Sequence, residues 1–150
     1  MTPIPINVFA EKLNEIIPVL MKEFAKRQEN DLFKGKLTFP QFVVLNTLHH
    51  EGPTKMTDLA HFMRVTTAAM TGIVNRLVRA GYVLRAVDPK DRRIIKVKLD
   101  AKGLGVVSKV EAERRHMIIE IFGRISEIER DDYLRILTHI RDILLEQKKG

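Results

Sequence analysis

The sequence predicts a mostly α-helical chain carrying one small β-hairpin, an α+β fold with helices on both sides of a compact centre. Three observations lead there. Apolar residues recur at helical spacing through most of the chain, from Leu13 to Phe24 and again from Val106 to Leu144. Two short β-prone runs, 82–87 and 95–99, flank an Asp-Pro turn. Gly and Pro punctuate the segments at E-G-P (51–53) and at Gly81. The chain is 150 residues long, 45% hydrophobic and 30% charged, values of an ordinary globular domain.

The first helix is expected over about Asn7–Asn30, with Leu13, Ile16, Ile17, Leu20, Met21 and Phe24 on one stripe. Pro18 falls inside it and should kink or divide it. Asp31 to Lys36 is a polar break. Thr38 then looks like an N-cap, with Pro40 in the first turn and Phe42, Val43, Leu45 and Leu48 on one side. A short third helix follows, with Thr57 as N-cap, Met56 as staple and Leu59, Ala60 and Phe62 inward. The fourth runs from Thr66 or Thr67 to Arg79, burying Met70, Ile73, Val74, Leu77 and Val78, and Gly81 stops it.

Tyr82–Val87 is the first strand, D-P-K-D the turn, and Ile95, Val97 and Leu99 alternate with Lys96 and Lys98 in the second. That alternation puts the apolar set on the body of the protein and both lysines in water. Asp100 is a candidate N-cap for a long helix ending near Ser126, and a last helix begins around 128–130. The outer helices carry more apolar surface than the small centre can cover, so a second copy of the chain is the expected partner.

The net charge is +7 and it is unevenly placed. Residues 51–98 hold ten Lys/Arg against four Asp/Glu, a net +6, and the rest of the chain adds only +1. Charge concentrated in this way is the footprint of a face that meets a polyanion.

The two helices over 56–79, joined by a tight turn, fit a helix-turn-helix whose second member is the recognition helix. Thr66, Thr67, Ala68 and Thr71 are small or hydroxylated, which lets a helix sit deep in the major groove. Asn75 and Arg76 are long enough to reach a phosphate or a base. The hairpin that follows, tipped by Lys90, Arg92 and Arg93, then serves as a wing that probes the adjacent minor groove. Asp88 and Asp91 are read as turn-formers, with Asp91 also holding a neighbouring arginine extended.

The runs L-T-F-P-Q-F-V-V-L from Leu37, T-D-L-A, V-N-R-L-V-R-A-G-Y-V, D-P-K-D-R-R and L-D-A-K-G together resemble the MarR family of winged helix-turn-helix regulators. The most specific element is Asp91-x-Arg93 ahead of L-x-x-K-G. The resemblance implies a single domain over residues 1–150, with a winged helix-turn-helix core at about 37–99 and dimerisation helices at about 7–30 and 101–147. It also implies a homodimer on a pseudo-palindromic double-stranded DNA operator, repressing transcription until a ligand releases it. Arg93 becomes the minor-groove residue, and the first half of the Thr66–Arg79 helix reads bases. A small aromatic or phenolic effector is implied too, for which Phe9, Leu13, Phe42 and His50 are candidate lining. Two positions depart from the family pattern. Asp100 stands where Thr is usual, a change that preserves capping, and Gly72 sits mid-recognition-helix at a cost of about 1 kcal/mol relative to Ala.

Other functions find little support. With no cysteine there is no disulfide, thiolate metal site or thiol-based peroxide sensing. The five histidines (49, 50, 61, 116 and 139) include no i, i+4 pair, and His49 and His50, as helix neighbours, should point different ways. No metal and no cofactor is therefore expected. G-L-G at 103–105 is not a dinucleotide fingerprint, and Ser108 and Ser126 have nothing to activate them, so an enzyme is not expected. The start M-T-P-I-P-I-N-V-F-A lacks the features of a secretory leader, and no run spans a bilayer, so a cytoplasmic protein without membrane contact is expected. The competing readings are a nonspecific architectural DNA binder and a winged-helix module for protein–protein contact.

Overall fold

In the computed structural model, which describes residues 2–28 and 34–148, the chain forms two compact units, residues 1–113 and 114–150. In order, the elements are α1 (Ile6–Lys26), α2 (Phe39–Glu51), β1 (Thr54–Lys55), α3 (Met56–Met63), α4 (Thr67–Arg79), β2 (Val83–Val87), β3 (Ile95–Leu99), α5 (Ala101–Phe122) and α6 (Glu127–Gln147). The boundary between the units falls within α5.

In the first unit, α1 runs through Pro18 as one helix, so the proline does not divide it. Its expected end at Asn30, and Asp31 in the polar break, lie outside the described residues. No residue of α1 is buried. Thr38 caps α2 as expected and completes a capping box: its hydroxyl accepts from the Gln41 N–H while the Gln41 side chain accepts from the Thr38 N–H. The inward residues of α2 are Phe42, Val44, Leu45 and Leu48, so Val44 takes the place expected for Val43, which is half-buried. Gly52, at φ 77°, ends the helix with a backbone conformation that a side chain would strain.

The sheet has the order β1-β3-β2 and is antiparallel throughout. The two-residue β1, unforeseen from sequence, pairs Thr54 with Val97 and Lys55 with Lys96. A strand this short carries no alternation to read. Because Thr54 and Lys55 are extended, α3 starts at Met56 with Lys55 as N-cap, and Thr57 lies inside the helix. Leu59 and Ala60 are buried as expected, but Phe62 faces outward at 62% exposure.

In β3 only Val97 is fully buried; Ile95 is exposed, and Lys96 is half-buried rather than in water. The core gathers Leu45 and Leu48 of α2, Leu59 of α3, Met70, Val74 and Leu77 of α4, Val97 and Val107. Each fully buried aliphatic side chain contributes about 1.5–3 kcal/mol of transfer free energy.

The L-x-x-K-G motif has a structural role here. Asp100 starts α5, its carboxylate accepting from the Ala101 N–H at 2.8 Å. Lys102 then donates to the Ala80 carbonyl at 2.7 Å, at the end of α4, and lies 4.5 Å above the Tyr82 ring. Gly103 lets the first turn of α5 press on the chain after α4, since a Cβ there would stand 2.1 Å from the Tyr82 carbonyl oxygen.

In the second unit, α5 closes at Phe122 and Ser126 caps α6 instead of ending its predecessor. Ser126 and Glu129 form a second capping box, which starts α6 at Glu127. Phe122 and Tyr133 stack at 5.4 Å. No residue of α6 is buried, and Leu134, Leu144 and Leu145 are each more than half exposed.

Candidate nucleic-acid interface

The turn between α3 and α4 is closed by backbone geometry. Arg64 adopts a left-handed conformation, φ 52°, and the Val65 N–H donates to the Ala60 carbonyl. Thr66 then caps α4, its hydroxyl accepting from the Ala69 N–H at 3.1 Å. That hydroxyl accepts here, so its own O–H is still available to donate. Thr71 instead donates to the Thr67 carbonyl at 2.8 Å. Thr67 and Ala68 are exposed at the open end of the helix.

Met70, Val74 and Leu77 face the core, so helical spacing places Ala68, Gly72, Asn75, Arg76 and Arg79 on the outer side of α4. Arg76 is exposed and Asn75 half-buried. A Cβ at Gly72 would meet no heavy atom within 4 Å, so packing inside the protein does not demand glycine there. The Asn75 carboxamide oxygen accepts a hydrogen bond from the Arg85 guanidinium of β2. Arg85 was not among the residues singled out from sequence, because nothing local marks a bond across ten positions and two elements.

The wing tip is a built loop. The Asp88 carboxylate accepts from the backbone N–H groups of Lys90 at 2.7 Å and Asp91 at 3.3 Å, and from Lys96 Nζ at 3.1 Å. The backbone closes it further: the Asp88 N–H donates to the Ile94 carbonyl, and the Ile94 N–H to that of Asp91. Asp91 accepts from the Arg93 N–H, and its two oxygens take Nε and Nη2 of the same arginine, all at 3.1 Å. Both turn-forming aspartates expected from sequence are therefore in place. Lys96 is the addition, half-buried with its Nζ on the Asp88 carboxylate.

These contacts hold the aspartates ionised. The Lys90 N–H, then Lys96, keep the Asp88 carboxyl below the usual aspartate range. The Arg93 side chain, then its backbone N–H, do the same for Asp91. Each aspartate has its cation inside the loop, Lys96 for Asp88 and Arg93 for Asp91, while Lys90 and Arg92 are exposed and the Arg93 side chain, though paired, stays 90% exposed.

The remaining candidates are less coherent. Phe42 is buried in α2 and Phe9, Leu13 and His50 are exposed, so burial separates Phe42 from the other three proposed effector residues. His49 and His50, expected to diverge, have ring centroids 5.2 Å apart and both approach the Glu111 carboxylate, at 3.7 and 3.8 Å. Among the described residues no group of three or more His, Asp or Glu could hold a metal ion, and no helix is long and apolar enough to cross a membrane.

Comparison with known proteins agrees with this arrangement. Residues 37–95, from Leu37 before α2 through the wing, match the MarR family. The chain is 28% identical to the HTH-type transcriptional regulator YkoM of Bacillus subtilis over 97 residues, 65% of this chain and 63% of that protein. Among solved structures it resembles RV1404 from Mycobacterium tuberculosis, with a TM-score of 0.82 and 27% identity, covering 95% of this chain and 96% of that one. It shares its fold with S. aureus MepR bound to an oligodeoxyribonucleotide, with a TM-score of 0.64 and 22% identity, covering 90% and 97% of the two chains. A capped helix-turn-helix, an arginine-tipped wing and these matches converge: over residues 37–95 the chain is similar to the MarR family, whose members are transcriptional regulators and not enzymes.

Proposed function

We propose that this protein binds a pseudo-palindromic DNA operator as a homodimer and represses transcription until a small ligand releases it. The observation that carries the DNA-binding part is the wing tip. Arg93 is held by Asp91 in a bidentate pair at the loop tip while its side chain stays 90% exposed, and the other loop carboxylate, Asp88, is paired with Lys96. An exposed guanidinium held in one pose has little to offer the fold, since solvent screens a surface ion pair. It is well suited to a narrow minor groove, where the negative potential is concentrated.

In this reading the N-terminal half of α4 enters the major groove, with Thr66, Thr67, Ala68 and Thr71 toward base edges and phosphates. Asn75 and Arg76 follow along the outer face, and Lys90, Arg92 and Arg93 reach the flanking minor groove. Two copies place their recognition helices in successive major grooves, about 10 bp apart. The dimer is supported by α1 and α6, which expose apolar residues along their length and bury none. A small aromatic or phenolic anion is the effector class proposed, with Phe9, Leu13 and His50 as available surface; it would act only by as much as its affinity differs between dimer shapes.

The test is a binding titration of the wild type and the Arg92→Ala/Arg93→Ala variant on duplex DNA at several salt concentrations. Loss of affinity together with a flatter salt dependence is the expected result. Equal binding by both proteins would remove the wing from the interface and favour a module for protein contact.

A further inference from the structure

The hydrogen bond between Arg85 and Asn75 joins the base of the wing to the outer face of the recognition helix, and neither element needs it for its own backbone. A guanidinium carries donors only, so the group facing it must be the amide oxygen of Asn75. That chemistry fixes which way the carboxamide lies. With Oδ1 turned toward β2, the Nδ2 donors are turned away from it. Arg85 is exposed and Asn75 half-buried, so this bond contributes little to folding compared with the buried core.

We propose that Arg85 is a positioning residue for DNA recognition: it locks Asn75 so that the amide presents two donors to an acceptor on DNA. The proposal rests on the DNA-binding reading and deepens it by assigning a reading polarity to one residue. An unrestrained asparagine can rotate to offer either its oxygen or its nitrogen, and so answers both donors and acceptors. A locked one answers only acceptors with its nitrogen, whether the acceptor is a phosphate oxygen or a base edge such as N7 or O6 of guanine. The same bond ties α4 to β2, so the angle between recognition helix and wing depends on it.

The experiment is a double-mutant cycle on the full chain, using the duplex that the wild type selects from a random pool. Asn75→Ala, Arg85→Ala and the double variant are titrated on that duplex and on versions with each half-site base pair changed in turn, with thermal midpoints measured alongside. Each single change should weaken binding about tenfold, as loss of one good contact does. The double variant should be no weaker than the worse single one, with midpoints nearly unmoved. Loss confined to one base pair identifies a base edge as the acceptor; a uniform loss identifies a phosphate.

Multiplicative losses in the double variant, with a salt slope lowered by about one for Arg85→Ala alone, would overturn the proposal and make Arg85 an independent phosphate contact. If the alanine at 85 fails to fold, Arg85→Met keeps the stem and removes the donors, and the cycle is run with it. A wild type that selects no duplex would overturn the sequence-specific DNA reading and this proposal together. A selected duplex with an additive cycle overturns this proposal alone.

Discussion

Asp91 holds Arg93 by two parallel hydrogen bonds, Nε to Oδ1 and Nη2 to Oδ2, each 3.1 Å long, while the arginine side chain remains 90% exposed. This arrangement makes a prediction whose sign separates two explanations. If the wing worked through net charge alone, Asp91→Ala would remove an anion from a DNA-facing loop and tighten binding. If it works by posing Arg93, the same change frees the guanidinium and weakens binding, by roughly tenfold if one well-placed contact is lost. Titration of the variant on duplex DNA at fixed salt decides it, and weaker binding is predicted.

The wing should also be insensitive to pH over the range in which proteins are usually studied. Asp88 is held below the ordinary aspartate value by the Lys90 N–H and then Lys96, and Asp91 by Arg93. A carboxylate with a depressed folded pKa adds stability that is complete above its unfolded value of about 3.9 and is lost as pH falls through the lower folded value. The loop should therefore keep its order from pH 8 to 5 and come apart only below about pH 4. Carboxyl NMR titration checks this; midpoints for both aspartates at or above the ordinary value would contradict it.

Two glycines should respond oppositely to alanine. At Gly103 the added Cβ would lie 2.1 Å from the Tyr82 carbonyl oxygen, which cannot move without disturbing the end of α4 and the start of β2. Overpacking against backbone predicts a loss of about 1–3 kcal/mol or more. At Gly72 the Cβ meets nothing within 4 Å, and removing a mid-helix glycine should stabilise by up to about 1 kcal/mol. Thermal or urea unfolding measures both. If α4 approaches DNA closely at Gly72, Gly72→Ala will lower affinity while raising stability, a combination that no folding defect produces.

The outer helices supply a fourth prediction. Leu134 and Leu144 are 66% and 56% exposed on α6, which buries no residue of its own. Leu134→Glu with Leu144→Glu should leave helix content unchanged and convert a dimer into a monomer, since each charge buried in an apolar contact costs on the order of 2 kcal/mol or more. Sedimentation across a concentration series reads this directly. A wild type sedimenting as a monomer would contradict the dimer, and a variant still dimeric would place the contact elsewhere.

The sequence was most legible where structure is set by near neighbours. Thr38 announces its helix through the cap, and the D-P-K-D-R-R run gives both the turn and the Asp91–Arg93 pair. Ser126 shows the limit of such signals. Its S-x-x-E spacing to Glu129 marks a start, yet the apolar stripe running on to Ile125 favoured reading it as an end. Hydrophobicity alone places Phe62 inward, but in an eight-residue helix the inner face is filled by Leu59 and Ala60. The remaining gaps are long-range. β1 exists only because Thr54 finds Val97, and Lys96 is half-buried where its Nζ meets Asp88 just past the end of β2. Arg85 matters only through Asn75, ten positions away on another element.

The most direct measurement is selection of bound duplexes from a randomised pool by the full-length protein at ~0.15 M salt, where weak electrostatic binding is suppressed. An inverted repeat with half-site centres about 10 bp apart is the predicted result, as two recognition helices on a two-fold dimer require. A pool without consensus, with binding that disappears as salt is raised, would contradict sequence-specific regulation and leave a nonspecific DNA binder.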